Sequence, residues 1–256
     1  MTAIPPFSDL ILPPLLNSRP VVPPDDPFEA AGQAAAADQA DTGDLFWSTR
    51  ADRLAFGLVL APEVKPEQAR HMLFVMMVAA ADALGAIAPP EIGITWAWPA
   101  TVLANRGKLG GARMAMSQSV DDDGAPDWLV VGLDLALQPD SLQGQGDSEP
   151  GQQPDVTSLW DEGAAELDTV GCLESLSRHF LVWLHRWESE GFRPVQEAWL
   201  FRCEGYKQEV EVSGPDGPRK GRLLGLDEAG NLLLKPEGSA VDLVDLAATL
   251  QQWEDT

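Results

Sequence analysis

The sequence predicts an α+β fold, a sheet built largely from hairpins and backed by two long helices, with a small β-module at its C-terminal end. Three observations carry this. Strand-like runs come in pairs joined by short polar turns, as in Leu45–Ser48, the linker TRADR and Leu54–Leu60. Residues 66–87 and 172–190 repeat apolar side chains at three- and four-residue steps. From Tyr206 the texture changes to short strands separated by Gly-, Pro- and Asp-rich turns.

Residues 1–25 form a proline-rich arm, expected to be extended along a surface. Asp26-Pro27-Phe28-Glu29 reads as a helix start, an acceptor side chain followed by proline at the first helical position, and the helix runs to about Gln39. After the first hairpin, Pro66 opens a helix with Ala69, Met72, Leu73, Met76, Met77, Ala80, Leu84 and Ile87 on one stripe. Its methionines are core fillers. ITWAWP is a strand, and VLANRGKLGGARMAMS is a hairpin turning at Asn-Arg-Gly. Trp128–Leu137 is a mostly apolar run and is therefore central, and residues 138–158 form an acidic, flexible insertion. The second long helix runs from Cys172 to Glu190, and a shorter one begins at Pro194. The β-module ends in a helical tail over 241–253. The divisions expected are 1–25, 26–204 and 205–256.

Of the 256 residues, 17 are Lys or Arg and 40 are Asp or Glu, a net charge of −23. Such a polyanion repels phosphate backbones and anionic lipid, so no nucleic acid and no membrane surface is expected as a partner. Two cysteines make no disulfide framework, and the N-terminal stretch lacks the basic segment of a signal peptide. A cytoplasmic protein is expected. His179 and His185 lie six apart on a helix and His71 is remote, so no metal site is expected from the histidines. Cys172 reads as structural.

Four strings, in order, resemble the biotin/lipoate protein ligase family. They are Trp96-Ala97-Trp98-Pro99-Ala100-Thr101 with Lys108-Leu109-Gly110-Gly111; Val130-Val131-Gly132-Leu133-Asp134; Leu167-Asp168 with the helices through Trp187–Phe192 and Glu197-Ala198-Trp199; and Gly225–Leu234. The resemblance spans roughly residues 27–250. It implies a mixed sheet backed by helices, like that of class II synthetases, plus a small SH3-like barrel. It also implies a pocket for a carboxylated acyl chain, biotin or lipoate/octanoate, beside an ATP/Mg²⁺ site, and acyl transfer to a carrier-protein lysine.

Against that family pattern the chain departs at three places. The Arg/Gly-rich loop corresponds to the short Trp47–Arg53 span, which keeps Arg50 and Arg53 but has no glycine. The lysine before Trp-Pro is Ala97, and the following Asn-Asp is Ala100-Thr101. Removing a transition-state cation typically costs on the order of 10²–10³ in rate. The main expectation is therefore a family member that has lost standard adenylation and acts as a binding or accessory protein. The alternative is an active lipoyl, octanoyl or biotinyl ligase or transferase of altered mechanism with Lys108 as its catalytic residue. A half-enzyme completed by another chain is a third. The candidate substrate-binding residues are Arg50, Trp98, Pro99, Gly110, Gly111 and Arg113. Lys108 reads equally as an exposed hairpin residue, Arg113 as a surface arginine, and Trp96 and Trp98 as core.

Overall fold

A computed structural model describes residues 10–139, 155–214 and 216–254. Its main sheet has seven strands, in the order β1-β2-β3-β7-β6-β5-β4. They are β1 (Asn17–Val21), β2 (Asp44–Ser48), β3 (Arg53–Leu60), β4 (Ile94–Ala97), β5 (Thr101–Ala104), β6 (Gly107–Met116) and β7 (Leu129–Ala136). β1 joins β2 in parallel and every other pairing is antiparallel, so the sheet is mixed. β7 is the middle strand, as its apolar run requires. Part of the proline-rich arm is thus an edge strand, and Pro20 sits where a missing N–H is tolerated.

α1 (Pro27–Ala36) covers one face of the sheet. Asp26 caps it, its carboxylate accepting from the N–H groups of Phe28 and Glu29. Phe28 and Ala31 pack on Val59 and Val130. The other face carries α2 (Pro66–Ala69), α3 (His71–Ile87), α4 (Thr169–Glu190) and α5 (Arg193–Arg202). α3 is not the one-sided amphipathic helix expected: Val75, Val78, Ala79, Ala81 and Ala83 are buried along with the predicted stripe. The reason is its central place, with the sheet on one side and α4 and α5 on the others. Together α2 and α3, Pro66–Ile87, are long and apolar enough to cross a bilayer, but most of that run is buried inside this protein. α4 begins three residues earlier than expected, with Asp168 as its cap, so Cys172 lies inside the helix and is buried.

The C-terminal sheet has four antiparallel strands, β8 (Glu209–Gly214), β9 (Gly217–Leu226), β10 (Leu232–Lys235) and β11 (Asp242–Val244). They are ordered β11-β10-β9-β8, and the outer two are not paired, so the expected closed SH3-like barrel is not formed among the described residues. α6 (Leu246–Glu254) takes up part of the predicted tail. Its Leu246 and Leu250 share the buried cluster of Val212, Leu223, Leu232 and Leu234, and it packs near β8, so a helix covers the open side that a closing strand would fill. That cluster is continuous with the core beneath the main sheet. His71 ties α3 and α4 to the turn between β9 and β10: its Nε2–H donates to the Glu228 carbonyl at 2.9 Å, while Trp187 Nε1 donates to its Nδ1 at 3.1 Å.

Candidate functional site

Strand alternation sends Leu54, Phe56, Leu58, Ala112, Met114, Val131 and Leu133 towards α3. Their neighbours face the side α1 only partly covers. Beyond the α1 N-terminus no helix among the described residues covers this face. Its floor is a transverse row of direct cross-strand partners, Ala97–Thr101–Gly111–Asp134–Ala55, running over five strands. Four of the five side chains are small, which makes a shallow trough, and Asp134 is the one carboxylate in the row.

Lys108 lies on one side of this row. The two-residue turn Asn105-Arg106 has φ of 47° and 76°, the primed geometry that suits a tight hairpin. A bulge at Leu109 follows, so that Lys108 pairs with Leu103 and Gly110 with Val102. The Lys108 backbone is held from the other side too. Its N–H donates to the Asp155 carbonyl at 2.7 Å, and its carbonyl accepts from Thr157 N–H at 2.9 Å. Its side chain is exposed and has no ion pair among the described residues. Gly110 is needed for packing, since a Cβ there would lie 2.0 Å from the Asp134 carbonyl. Gly111 is part of the trough floor.

The arginines of this region are engaged. Arg113 donates from Nη1 to Asp26 at 2.7 Å and from Nη2 to Glu29, with its guanidinium 4.3 Å from the centroid of the Phe28 ring. Arg53 Nε donates to Asp134 Oδ1 at 2.6 Å. Arg50 forks onto both oxygens of Asp52, whose side chain is buried. Burial alone would raise the Asp52 pKa, but the Arg50 hydrogen bonds, with backbone and Arg53 contributions, outweigh it and hold the carboxyl below its usual range. The Thr49–Asp52 turn is bolted down on both sides. Thr169 Oγ1 donates to the Arg50 carbonyl at 2.9 Å, and the Asp52 carbonyl accepts from Leu137 and Gln138 N–H.

The structure therefore gathers Lys108, Gly111 and Arg113 on one face and sets Trp98 and Pro99 apart from them. Trp98 is buried on the helix side, with its ring centroid 6.5 Å from that of Phe74 and 6.4 Å from that of Trp199. Pro99 is buried beside it. Asp134 and Arg53 were not among the expected site residues. The available signal was a lone carboxylate on an outward position of an otherwise apolar strand.

Other titratable groups contribute no nucleophile or metal seat. Burial pushes the Cys172 and Cys203 thiols up to about 12, so both stay protonated at neutral pH. Among the described residues no three His, Cys, Asp or Glu side chains gather to hold a metal. Thr101 stands where the resemblance requires a carboxylate, so the residues present do not fit a Mg²⁺ ion. A cleft of about 520 Å³ lies at the far end of α1, between Asp38, Asp127 and Trp128, away from Lys108.

Sequence comparison gives this mixed sheet backed by helices its family. The profile of the Biotin/lipoate A/B protein ligase family matches residues 12–201, and the chain belongs to that family. It is 32% identical over 197 residues to the Biotin–[acetyl-CoA-carboxylase] ligase of Paracoccus denitrificans, covering 76% of this chain and 79% of the relative. A crystal structure of a biotin protein ligase-like protein of unknown function from Silicibacter sp. TM1040 superposes with a TM-score of 0.80 at 35% identity. That match covers 94% of this chain and 98% of the other. The Aquifex aeolicus biotin protein ligase in complex with biotin and ATP shares the fold, with a TM-score of 0.68 at 19% identity over 91% and 96% of the two chains.

Proposed function

We propose that this chain is an active protein ligase or acyl transferase of the biotin type, working by an altered mechanism through Lys108. The observation that carries the reading is the shared face on which Lys108, the Gly111 floor and the Arg53–Asp134 pair occupy neighbouring strands. The name of the Paracoccus relative supports biotin as the acyl group, with lipoate or octanoate as the competitors. The Aquifex complex supports ATP as the activating substrate. The acceptor is the lysine of a carrier protein, and the site of action is the cytoplasm.

In this reading the acyl carboxylate and the ATP α-phosphate meet over the glycine floor, where Gly111 lets the substrate approach the backbone. Lys108 offsets the charge that develops as the carboxylate oxygen attacks phosphorus and pyrophosphate leaves. Ala97, two strands and about 10 Å across the sheet, offers only a methyl group. One ammonium thus does what the family resemblance assigns to several cations, and turnover is expected to be slow.

A second reading, a family member that binds but does not adenylate, is favoured by Ala97 and by the short, anchored Thr49–Asp52 turn. One experiment separates the two. The protein is titrated with non-hydrolysable biotinyl-, lipoyl- and octanoyl-adenylate analogues in a thermal-shift assay, and pyrophosphate release is followed from ATP with each free acid. Ligand at about 100 times its Kd adds roughly 2.7 kcal/mol. A shift with one analogue together with pyrophosphate release supports the enzyme and names its acid. A shift without pyrophosphate supports the binding protein, and neither signal sinks both.

A further inference from the structure

We propose that Asp134 is a further catalytic residue, the carboxylate that receives the acceptor lysine amine. The assignment rests on the ligase reading and concerns its second half-reaction. Asp134 stands in the middle of the trough floor, flanked by Gly111 on β6 and Ala55 on β3. An incoming side chain therefore meets no bulk on either neighbouring strand. Its side chain is 38% exposed, enough for contact with a substrate. Arg53 takes Oδ1 alone, at 2.6 Å, which fixes the carboxylate's orientation; Oδ2 carries no hydrogen bond among the described residues. Of the nearby carboxylates, Asp26 and Glu29 are committed to Arg113, Asp52 to Arg50, and Glu162 to Thr157 and Asn105. Asp134 Oδ2 is an oriented acceptor left open, on the strand next to that of Lys108.

The chemistry needs a group at that place. A lysine reaches the site as an ammonium and first loses one proton to water. The amine nitrogen then bonds to the acyl carbon of the adenylate and becomes acidic as it does so. Its second proton passes to Asp134 Oδ2, the bond from acyl carbon to phosphate oxygen breaks, and AMP leaves with the electron pair. Asp134 finally returns the proton to solvent. Lys108 faces the anionic donor and Asp134 the cationic acceptor, so the two charges select opposite partners.

The test supplies biotinyl-5′-adenylate to the full chain with two acceptors, Nα-acetyl-lysine amide and hydroxylamine, each measured above the enzyme-free rate. Hydroxylamine is neutral at pH 7 and needs no carboxylate to seat it, and its weakly basic nitrogen gives up its proton to water once it has attacked. For Asp134→Asn the expected result is a loss of lysine transfer of about 10²-fold and at least about a tenfold fall in the lysine-to-hydroxylamine ratio, with Asp134→Glu recovering part of it. Thermal melts of both variants guard against misfolding. Equal loss with both acceptors assigns Asp134 to structure, and unchanged lysine transfer removes it from the reaction; either overturns the proposal. A wild-type protein inert towards both acceptors overturns the ligase reading and this assignment with it.

Discussion

His71 couples proton binding to the joint between the C-terminal sheet and the helices α3 and α4. Its ring is stacked on Phe192 at 3.9 Å, and both nitrogens are engaged, Nε2–H with the Glu228 carbonyl and Nδ1 with the Trp187 indole N–H. Protonating Nδ1 would set a second proton against that indole donor in a buried site. Burial pushes the pKa down to about 4 from 6.5, against the smaller opposing effects of the Glu228 carbonyl and Asp227. The unfolded chain therefore binds this proton at a higher pH than the folded one does. The stabilisation is fully present above pH 6.5, declines as pH falls, and is lost by about pH 4. At 1.36 kcal/mol per pH unit the whole window corresponds to about 3 kcal/mol, or a fall in Tm of roughly 6–12 °C for a chain of this size. Urea unfolding of the wild type and of His71→Gln between pH 7.5 and 4.5 isolates the effect, because the remaining acids titrate in both proteins. The wild type should lose about 2–3 kcal/mol relative to the variant across that range. A difference that stays flat with pH would refute the coupling.

Lys108→Ala should lower acyl transfer by about 10²-fold while moving Tm by less than about 2 °C, as befits an exposed side chain; a parallel loss of activity and stability would make Lys108 structural. Gly110→Ala should destabilise by about 2–4 kcal/mol, because its Cβ would meet the Asp134 carbonyl at 2.0 Å, and a chemical-denaturation midpoint equal to wild type would contradict this. Arg50→Ala leaves the buried Asp52 carboxylate without its fork and should cost about 2–4 kcal/mol at pH 7, much of it recovered by adding Asp52→Ala; a double variant no better than the single would show that the turn does not depend on this pair. Cys172 and Cys203 should resist iodoacetamide at pH 8 in the native state and react after unfolding, as mass spectrometry would register, whereas rapid native labelling would contradict their burial.

Local periodicity carried most of the fold. The hairpins at Asp44–Leu60 and Thr101–Met116 follow from alternation on either side of short turns, and Asp26-Pro27 capped a helix where the pattern required one. What the pattern could not carry was set by distant partners. β1 contains a proline and is mostly exposed, so nothing in its own residues marks the parallel pairing with β2. The burial of α3 on all sides depends on α4 and α5, which come some 80 residues or more later. Barrel closure likewise depends on whether β11 reaches β8, and α6 covers that side instead. In the site, the shared face of Ile94, Trp96 and Trp98 was legible from the two-residue period, and the structure gives that face to the core.

The acidity of the chain and the chemistry of the trough are two sides of one arrangement. With 40 acids against 17 bases, most cations on this face acquire a carboxylate neighbour, and the geometry shows which ones. Arg113 holds the start of α1, Arg50 holds a turn, and Arg53 orients Asp134 through one oxygen. A paired arginine must give up its partner before it can take a substrate anion, which offsets the gain. Counting arginines therefore overstates the positive charge this site can offer. Among the described residues, the ammonium of Lys108 and Oδ2 of Asp134 carry no partner on this face. They have opposite signs and stand on adjacent strands, as a reaction between an anionic acyl donor and a cationic amine requires.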